Sequence, residues 1–288
     1  MLALFNKKME KTMSRDRAEG WKHAKISGHS NEDLIKNKLN SDNNELSNLG
    51  KRLGSSSSTG IADVGGLCEA SVKSVLGNST KSKTDLIIKW DDKSLSKISI
   101  KKSQGGQVYL IRTSRFINGY EKHFAETIPD NVKEALYLFF GEGKDIASIL
   151  SKIKIYDDKI RKYEIRKNRL VWKTLLIYNE NYAESLLQWL IDNANKIAMY
   201  CFSMGLAENK DDWAEYIWYK NLLGEDSMDL LFSINELSSL SQVNAKKYII
   251  PGKVGGGTTI QLPFGFLQWH QGQMQFHHKF SRIQEMFK

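Results

Sequence analysis

Apolar and polar positions alternate most cleanly between Thr84 and Lys102. Thr84-Asp85-Leu86-Ile87-Ile88-Lys89-Trp90 is rich in β-branched residues and reads as a strand. Asp91-Asp92-Lys93 is a turn, and Lys97-Ile98-Ser99-Ile100-Lys101-Lys102 alternates strictly, as a second strand does. Together they predict a β-hairpin. Upstream, Trp21 to Leu39 carries a helical stripe of Leu34, Ile35 and Leu39, with Ser30 as the expected N-cap and Asp33 three residues on. Residues 1–20 are polar and read as a loose end, residues 40–60 as a Ser/Asn/Gly-rich loop. Ala62 to Leu76 predicts a short helix and Asn78 to Lys83 a turn.

Downstream, Ser103 to Gly106 is a break, and Gln107 to Ala125 reads as a helix with Tyr109, Phe116, Tyr120 and Phe124 on one face. Pro129 opens another helix reaching Phe140. Residues 144–172 mix helical and strand-like patterns. Trp172 to Tyr178 predicts a strand, Tyr182 to Leu206 a long helix, Trp213 to Leu223 a further helix, and Tyr248 to Phe276 strands and loops. No internal repeat is visible. The expected fold is α/β of the α+β type: a mixed β-sheet flanked by helices, with a mainly helical and irregular C-terminal part. The expected organisation is a loose segment 1–20, a core over 21–178, and a segment 179–288 packed on it.

The 288 residues are 41% hydrophobic and 26% charged, enough to bury a sizeable core. No apolar run approaches the length that spans a bilayer, and Met1 to Phe5 is too short an apolar run for a secretory signal. Cys68 and Cys201 are too few for a disulfide framework or a four-ligand zinc site, which fits a reducing cytoplasm. The net charge of +9 and the pI of 9.3 favour a polyanionic partner. That charge is blocked: residues 73–102, 144–173 and 246–288 are basic, and 174–245 are acidic. Segregation of this kind suits one face turned to phosphates, the alternative being solvated helix faces.

The hairpin carries candidate chemistry. Asp85 opens one strand, while Ser99 and Lys101, two apart, point to one face of the other. A carboxylate beside a lysine on adjoining strands suits metal-dependent phosphodiester hydrolysis. Asp binds Mg²⁺, the ion polarises phosphate and acidifies water, and lysine orients that water or balances charge developing on phosphorus. The alternative is an ordinary surface hairpin with an exposed lysine face.

Lys83-Thr84-Asp85-Leu86-Ile87-Ile88, the hairpin, and Ile98-Ser99-Ile100-Lys101-Lys102-Ser103 resemble the core of the PD-(D/E)XK nuclease superfamily, type II restriction endonucleases in particular. Gly105-Gly106-Gln107-Val108-Tyr109-Leu110-Ile111 and Arg115-Phe116-Ile117-Asn118-Gly119-Tyr120 extend the resemblance, which covers residues 20–125. The sequence departs from the usual pattern in two places: no Pro precedes Asp85, and Ser99 stands where the pattern has Asp or Glu. Families of this type supply a further glutamate from a helix packed on the sheet. Glu32 in Gly28-His29-Ser30-Asn31-Glu32 resembles that residue, with Glu69 a weaker substitute. The other reading of Glu32 is a favourable position near a helix N-terminus capped by Ser30.

The resemblance implies a Mg²⁺-dependent, sequence-specific endonuclease acting on double-stranded DNA and leaving 5′-phosphates. Asp85, Ser99, Lys101 and Glu32 would be catalytic, Asp85 and Glu32 would hold the metal, and a homodimer would match a palindromic site. DNA contacts are expected from Lys83, Lys102, Ser103, Gln107, Lys253, Gln261, Gln268 and Gln271. Two rival readings are a non-catalytic DNA-binding protein on a degenerate nuclease core and a structure-specific repair nuclease.

Other features are weighed residue by residue. Gly255-Gly256-Gly257-Thr258-Thr259 lacks the Gly-Lys-Ser/Thr ending of a nucleotide loop. Gln261, Gln268, Gln271, Gln273 and Gln275 crowd a short stretch; glutamine reads adenine bidentately, or simply coats a polar strand. His270, His277 and His278 lack the spacing of a compact zinc site and suit phosphate contact or plain surface. Lys152, Lys154, Lys159, Arg161, Lys162, Arg166, Lys167 and Arg169 form the densest basic run, expected to bind phosphates, the alternative being a solvated helix. Trp189, Trp213, Tyr216 and Trp218 sit at helical spacings in the acidic block and are expected in a core or partner interface.

Overall fold

The protein is described by a computed structural model covering residues 17–64, 71–154, 157–224 and 228–288. Most of the expected loose N-terminal segment, Cys68 and Glu69 lie outside the described residues. The chain opens with α1 (Arg17–Ser41) and α2 (Asn43–Leu53), then β1 (Gly60–Val64), β2 (Ser71–Lys73), β3 (Ser79–Lys81), β4 (Leu86–Trp90), β5 (Leu95–Lys101) and β6 (Gly105–Ile111). Helices follow: α3 (Thr113–Phe124), α4 (Asp130–Phe140), α5 (Ile146–Ser151), α6 (Asp158–Lys167), α7 (Trp172–Tyr178), α8 (Glu180–Asp192) and α9 (Ala194–Met199). The last part holds β7 (Tyr216–Lys220), β8 (Asp229–Ser233), α10 (Ile234–Val243), α11 (Ala245–Tyr248), β9 (Thr259–Leu262), β10 (Gly265–His270), β11 (Gln273–Lys279) and α12 (Phe280–Met286).

The fold is the expected mixed α/β arrangement. A five-stranded sheet runs β1-β4-β5-β7-β8, antiparallel except where β5 and β7 pair in parallel. A four-stranded antiparallel sheet runs β6-β11-β10-β9, and β2 and β3 form a small hairpin. The predicted β4–β5 hairpin is present, with Leu86 opposite Ile98 and Lys93 turning at φ 70°. Alternation along β4 and β5 sorts side chains between two cores. Leu86, Ile88, Trp90, Ile98 and Ile100 meet Ile35 and Leu39 of α1, Leu46, Leu49 and Leu53 of α2, and Trp218 of β7. Ile217 and Tyr219, on the opposite face of β7, join the larger core built from α3, α4, α8, α9 and the second sheet.

Several local expectations are corrected. Ser30 is not an N-cap, because α1 begins at Arg17 and runs past it. Residues 40–60 are not one loop: the Asp42 side chain accepts from the Asn44 and Glu45 amides and caps α2, whose Leu46, Leu49 and Leu53 are buried. The described part of Ala62–Leu76 is strand rather than helix. Asn78–Lys83 is in part β3, and Gln107–Ala125 divides into β6 and α3 because residues 105–111 pair with β11. Trp172–Tyr178 is α7 rather than a strand, and Trp213–Leu223 contains β7 rather than a helix. The long helix expected over Tyr182–Leu206 is broken after Asp192 and again at the π-helical turn 200–204. Since β7 and β8 complete the first sheet, that sheet crosses the boundary expected at residue 178.

Candidate active site

β4 ends its ladder at Leu86, so the next amide on β5, that of Ile100, lacks a strand partner on that side. The Asp85 side chain supplies one: its Oδ2 accepts from the Ile100 amide at 2.7 Å and from Ser99 Oγ at 3.0 Å. The Asp85 amide still donates to Ile98 O at 2.9 Å, which fixes the backbone beneath the carboxylate. Lys101 lies two residues beyond Ser99, on the same face of β5. Its ammonium donates to Ser99 Oγ at 2.6 Å and to Ile100 O at 3.1 Å, and stands 3.7 Å from Asp85 Oδ2. The structure thus brings Asp85, Ser99 and Lys101 together, as the hairpin reading expects.

Glu32 comes to them from α1. Ile35 and Leu39 bury that helix against the sheet, and Asn31 pins it. The fully buried Asn31 amide donates to Lys220 O, the last residue of β7, at 2.9 Å and accepts from the Leu222 amide just past it at 2.7 Å. β5 and β7 are parallel with Lys101 opposite Tyr219, so this clamp sets the adjacent Glu32 over the ends of both strands. Glu32 is 8% exposed. Burial first, and the Asp85 carboxylate second, raise its carboxyl to about 8, while Lys101 and Lys102 pull the other way. His29 Nδ1 lies 3.3 Å from Glu32 Oε2.

Two residues of this corner are ones the sequence reading did not assign to it. His278 on β11 is 3% exposed and its Nδ1 meets Tyr219 Oη at 2.8 Å. Burial, then the charges of Lys101 and His277, lower its pKa to about 3, so it stands near Lys101 as a neutral ring. Two-residue alternation along β11 puts it on the buried face with Met274 and Phe276, and the packing of β11 near β5 brings it to Lys101. Asn31 was part of the quoted Gly28–Glu32 string, yet its partners lie about 190 residues away in sequence.

The expected DNA contacts distribute as follows. Lys102 and Ser103 lead from β5 into β6, directly after Lys101. Gln107 Oε1 accepts from Gln275 Nε2 at 2.7 Å, Gln275 Oε1 accepts from Gln268 Nε2 at 2.7 Å, and Gln268 Nε2 lies 3.0 Å from His277 Nε2. These side chains form one polar face across β6, β11 and β10, opposite the buried Leu267, Met274 and Phe276. Gln261 on β9 accepts from Arg282 at 3.2 Å, and Gln271 occupies the β10–β11 turn with φ 50°. Lys253 is exposed on the loop before β9. Lys83 turns inward: its ammonium donates to Val108 O at 2.9 Å and lies 3.7 Å from the Tyr109 ring centre, and burial lowers its pKa to about 7. In the basic run, Lys152, Lys154, Lys159, Lys162 and Arg166 are exposed, but Arg169 is 1% exposed and donates to Thr258 O and Leu170 O. Arg169 is therefore part of the interior and not of a phosphate-binding surface.

The chain matches no protein-family model and no curated protein. Among solved structures it is similar to the restriction endonuclease MspI in complex with its cognate DNA, with a TM-score of 0.45 and 13% identity over 80% of this chain and 75% of that one. No helix among the described residues is long and apolar enough to cross a membrane.

Proposed function

We propose that the protein is a Mg²⁺-dependent endonuclease that hydrolyses phosphodiester bonds of double-stranded DNA at a specific sequence, in the manner of type II restriction enzymes. The observation that carries this is the meeting of Glu32, Asp85 and Lys101 from three separate elements at one end of the mixed sheet. A buried carboxyl raised to about 8 partly by a neighbouring carboxylate is a site short of positive charge. Among the described residues no group of three or more His, Cys, Asp or Glu could hold a metal. Two carboxylates still fit Mg²⁺, which keeps several waters and takes further oxygens from substrate phosphates.

Asp85 and Glu32 would hold the ion, which supplies Lewis-acid stabilisation of the scissile phosphate and acidifies a bound water. Ser99 and the Ile100 amide both bond Asp85 Oδ2, which fixes the carboxylate beside Lys101. Lys101, steadied by Ser99 Oγ and Ile100 O, orients the attacking water and balances the charge that develops on the phosphate. Lys102 contacts a neighbouring phosphate. The glutamine face begins at Gln107, six positions beyond Lys101, and reads base edges in the groove while the backbone lies in the site. Two copies on a two-fold sequence would cut both strands.

Digestion of a long DNA of known sequence with Mg²⁺, followed by mapping of the ends, tests the reading. Fixed cut positions, lost in Asp85→Ala and Lys101→Ala, are the expected result. Retarded but intact DNA would favour a binder on the same core, and cleavage confined to forks or nicks would favour a repair nuclease.

A further inference from the structure

A cavity of about 390 Å³ opens at the free edge of the second sheet, lined by Thr80 of β3, Leu110 of β6, Leu206, Gln273 of β11, and Arg112 and Arg115 at the start of α3. Arg112 is the extended N-cap of α3 and Arg115 lies in its first turn, and both line the hollow. Among the described residues neither guanidinium is paired with a carboxylate, although Lys133, Lys144, Lys196 and Lys247 all have acidic partners. Glu142 accepts from Ser114 N at 3.1 Å and Ser114 Oγ at 2.6 Å and forms no ion pair with either arginine. Two guanidinium groups therefore line a polar hollow without an ion-pair partner among the described residues.

The position of this hollow matters as much as its charge. β6 starts beside the catalytic lysine, carries Gln107 of the glutamine face, and ends at Ile111 on the cavity wall. At roughly 3.3 Å per residue, the catalytic end and the cavity lie about 20 Å apart along the same strand. Gln273, at the opposite end of β11 from His278, lines the cavity as well. A polyanion lying along β6 from the active site crosses the glutamines and arrives at the arginines.

We propose that this cavity seats a backbone phosphate of the bound DNA, gripped by Arg112 and Arg115, at a distance from the bond that is cut. The planar guanidinium fork matches phosphate oxygens bidentately. The seat fixes the register of the duplex over the glutamine face and carries no sequence information of its own. This inference rests on the endonuclease reading above.

DNA binding by the full chain, measured without metal over a salt series, tests the seat independently of cleavage. Arg112→Gln and Arg115→Gln combined should flatten the slope of log affinity against log salt by about 0.9, the value for one phosphate, and each alone should take part of it. The loss should be equal for a cleaved sequence and an unrelated one, and melting temperatures should match the wild type, because neither side chain holds the fold together. Wild-type binding with both variants keeping the full slope overturns the seat and leaves the endonuclease reading intact. No salt-dependent binding by the wild type overturns both. Saturable binding of inorganic phosphate by the free protein, lost in the variants while DNA binding is unchanged, also overturns it and assigns the hollow to a small anion.

Discussion

The Lys101 ammonium donates to Ser99 Oγ at 2.6 Å, and the same hydroxyl donates to Asp85 Oδ2 at 3.0 Å. Ser99 is thus a polar bridge between the carboxylate and the lysine, at the position where the resembled pattern has an acid. Hydrogen bonds to charged groups contribute about 1.5–3 kcal/mol, or roughly tenfold to a hundredfold in rate. Ser99→Ala should slow single-turnover cleavage by about that factor, with DNA affinity measured without metal unchanged.

Asp85→Asn and Lys101→Ala remove charges that no nearby group replaces. Each should lower the cleavage rate by about a thousandfold, the scale of losing a preorganised electrostatic contact. Gel retardation in the absence of metal should persist in both, which separates lost chemistry from lost binding.

Asn31 bonds two backbone groups, Lys220 O and the Leu222 amide, at the end of β7. Leaving a buried donor or acceptor unsatisfied costs about 1–3 kcal/mol. Asn31→Ala should therefore lower unfolding free energy by about 3 kcal/mol in urea titration with an unchanged m-value. Cleavage should fall further than stability explains at saturating DNA, and the Mg²⁺ concentration for half-maximal rate should rise, because Glu32 sits on the freed turn.

Gln275 is the centre of the amide chain that links Gln107 to Gln268. Gln275→Ala should unlock both neighbours and loosen discrimination between the preferred site and single-base variants by about 1–3 kcal/mol. Competition cleavage of oligonucleotides differing at one base pair reads this directly. An unchanged preference would remove the glutamine face from base reading.

The His278 ring is neutral in the fold down to about pH 3, against an ordinary value of 6.5. Above pH 6.5 neither the folded nor the unfolded ring carries a proton, so His278 leaves stability independent of pH there. As pH falls from 6.5 towards 3 the unfolded chain binds the proton first, and the stability present at neutral pH is lost. His278→Gln should flatten this acid limb in urea midpoints measured between neutral pH and about pH 4.

The sequence by itself determined the β4–β5 hairpin, with Asp85, Ser99 and Lys101 on one side, because period-two alternation is a local property of a pleated strand. It also marked the α4 start after Pro129 and the strands of the glutamine-rich C-terminal segment. Tertiary structure decided the rest. β7 has a helix-like pattern in sequence because a strand buried on both faces loses its alternation; only pairing with β5, over a hundred residues earlier, makes it a strand. β6 likewise exists through β11. Arg169 looks like its basic neighbours in sequence, and packing alone puts it inside. Glu32 acquires its raised pKa only where Asn31 grips β7 and brings it down over Asp85. Local patterning sets which way a side chain points, but the charge and solvent it meets there come from elements distant in the chain.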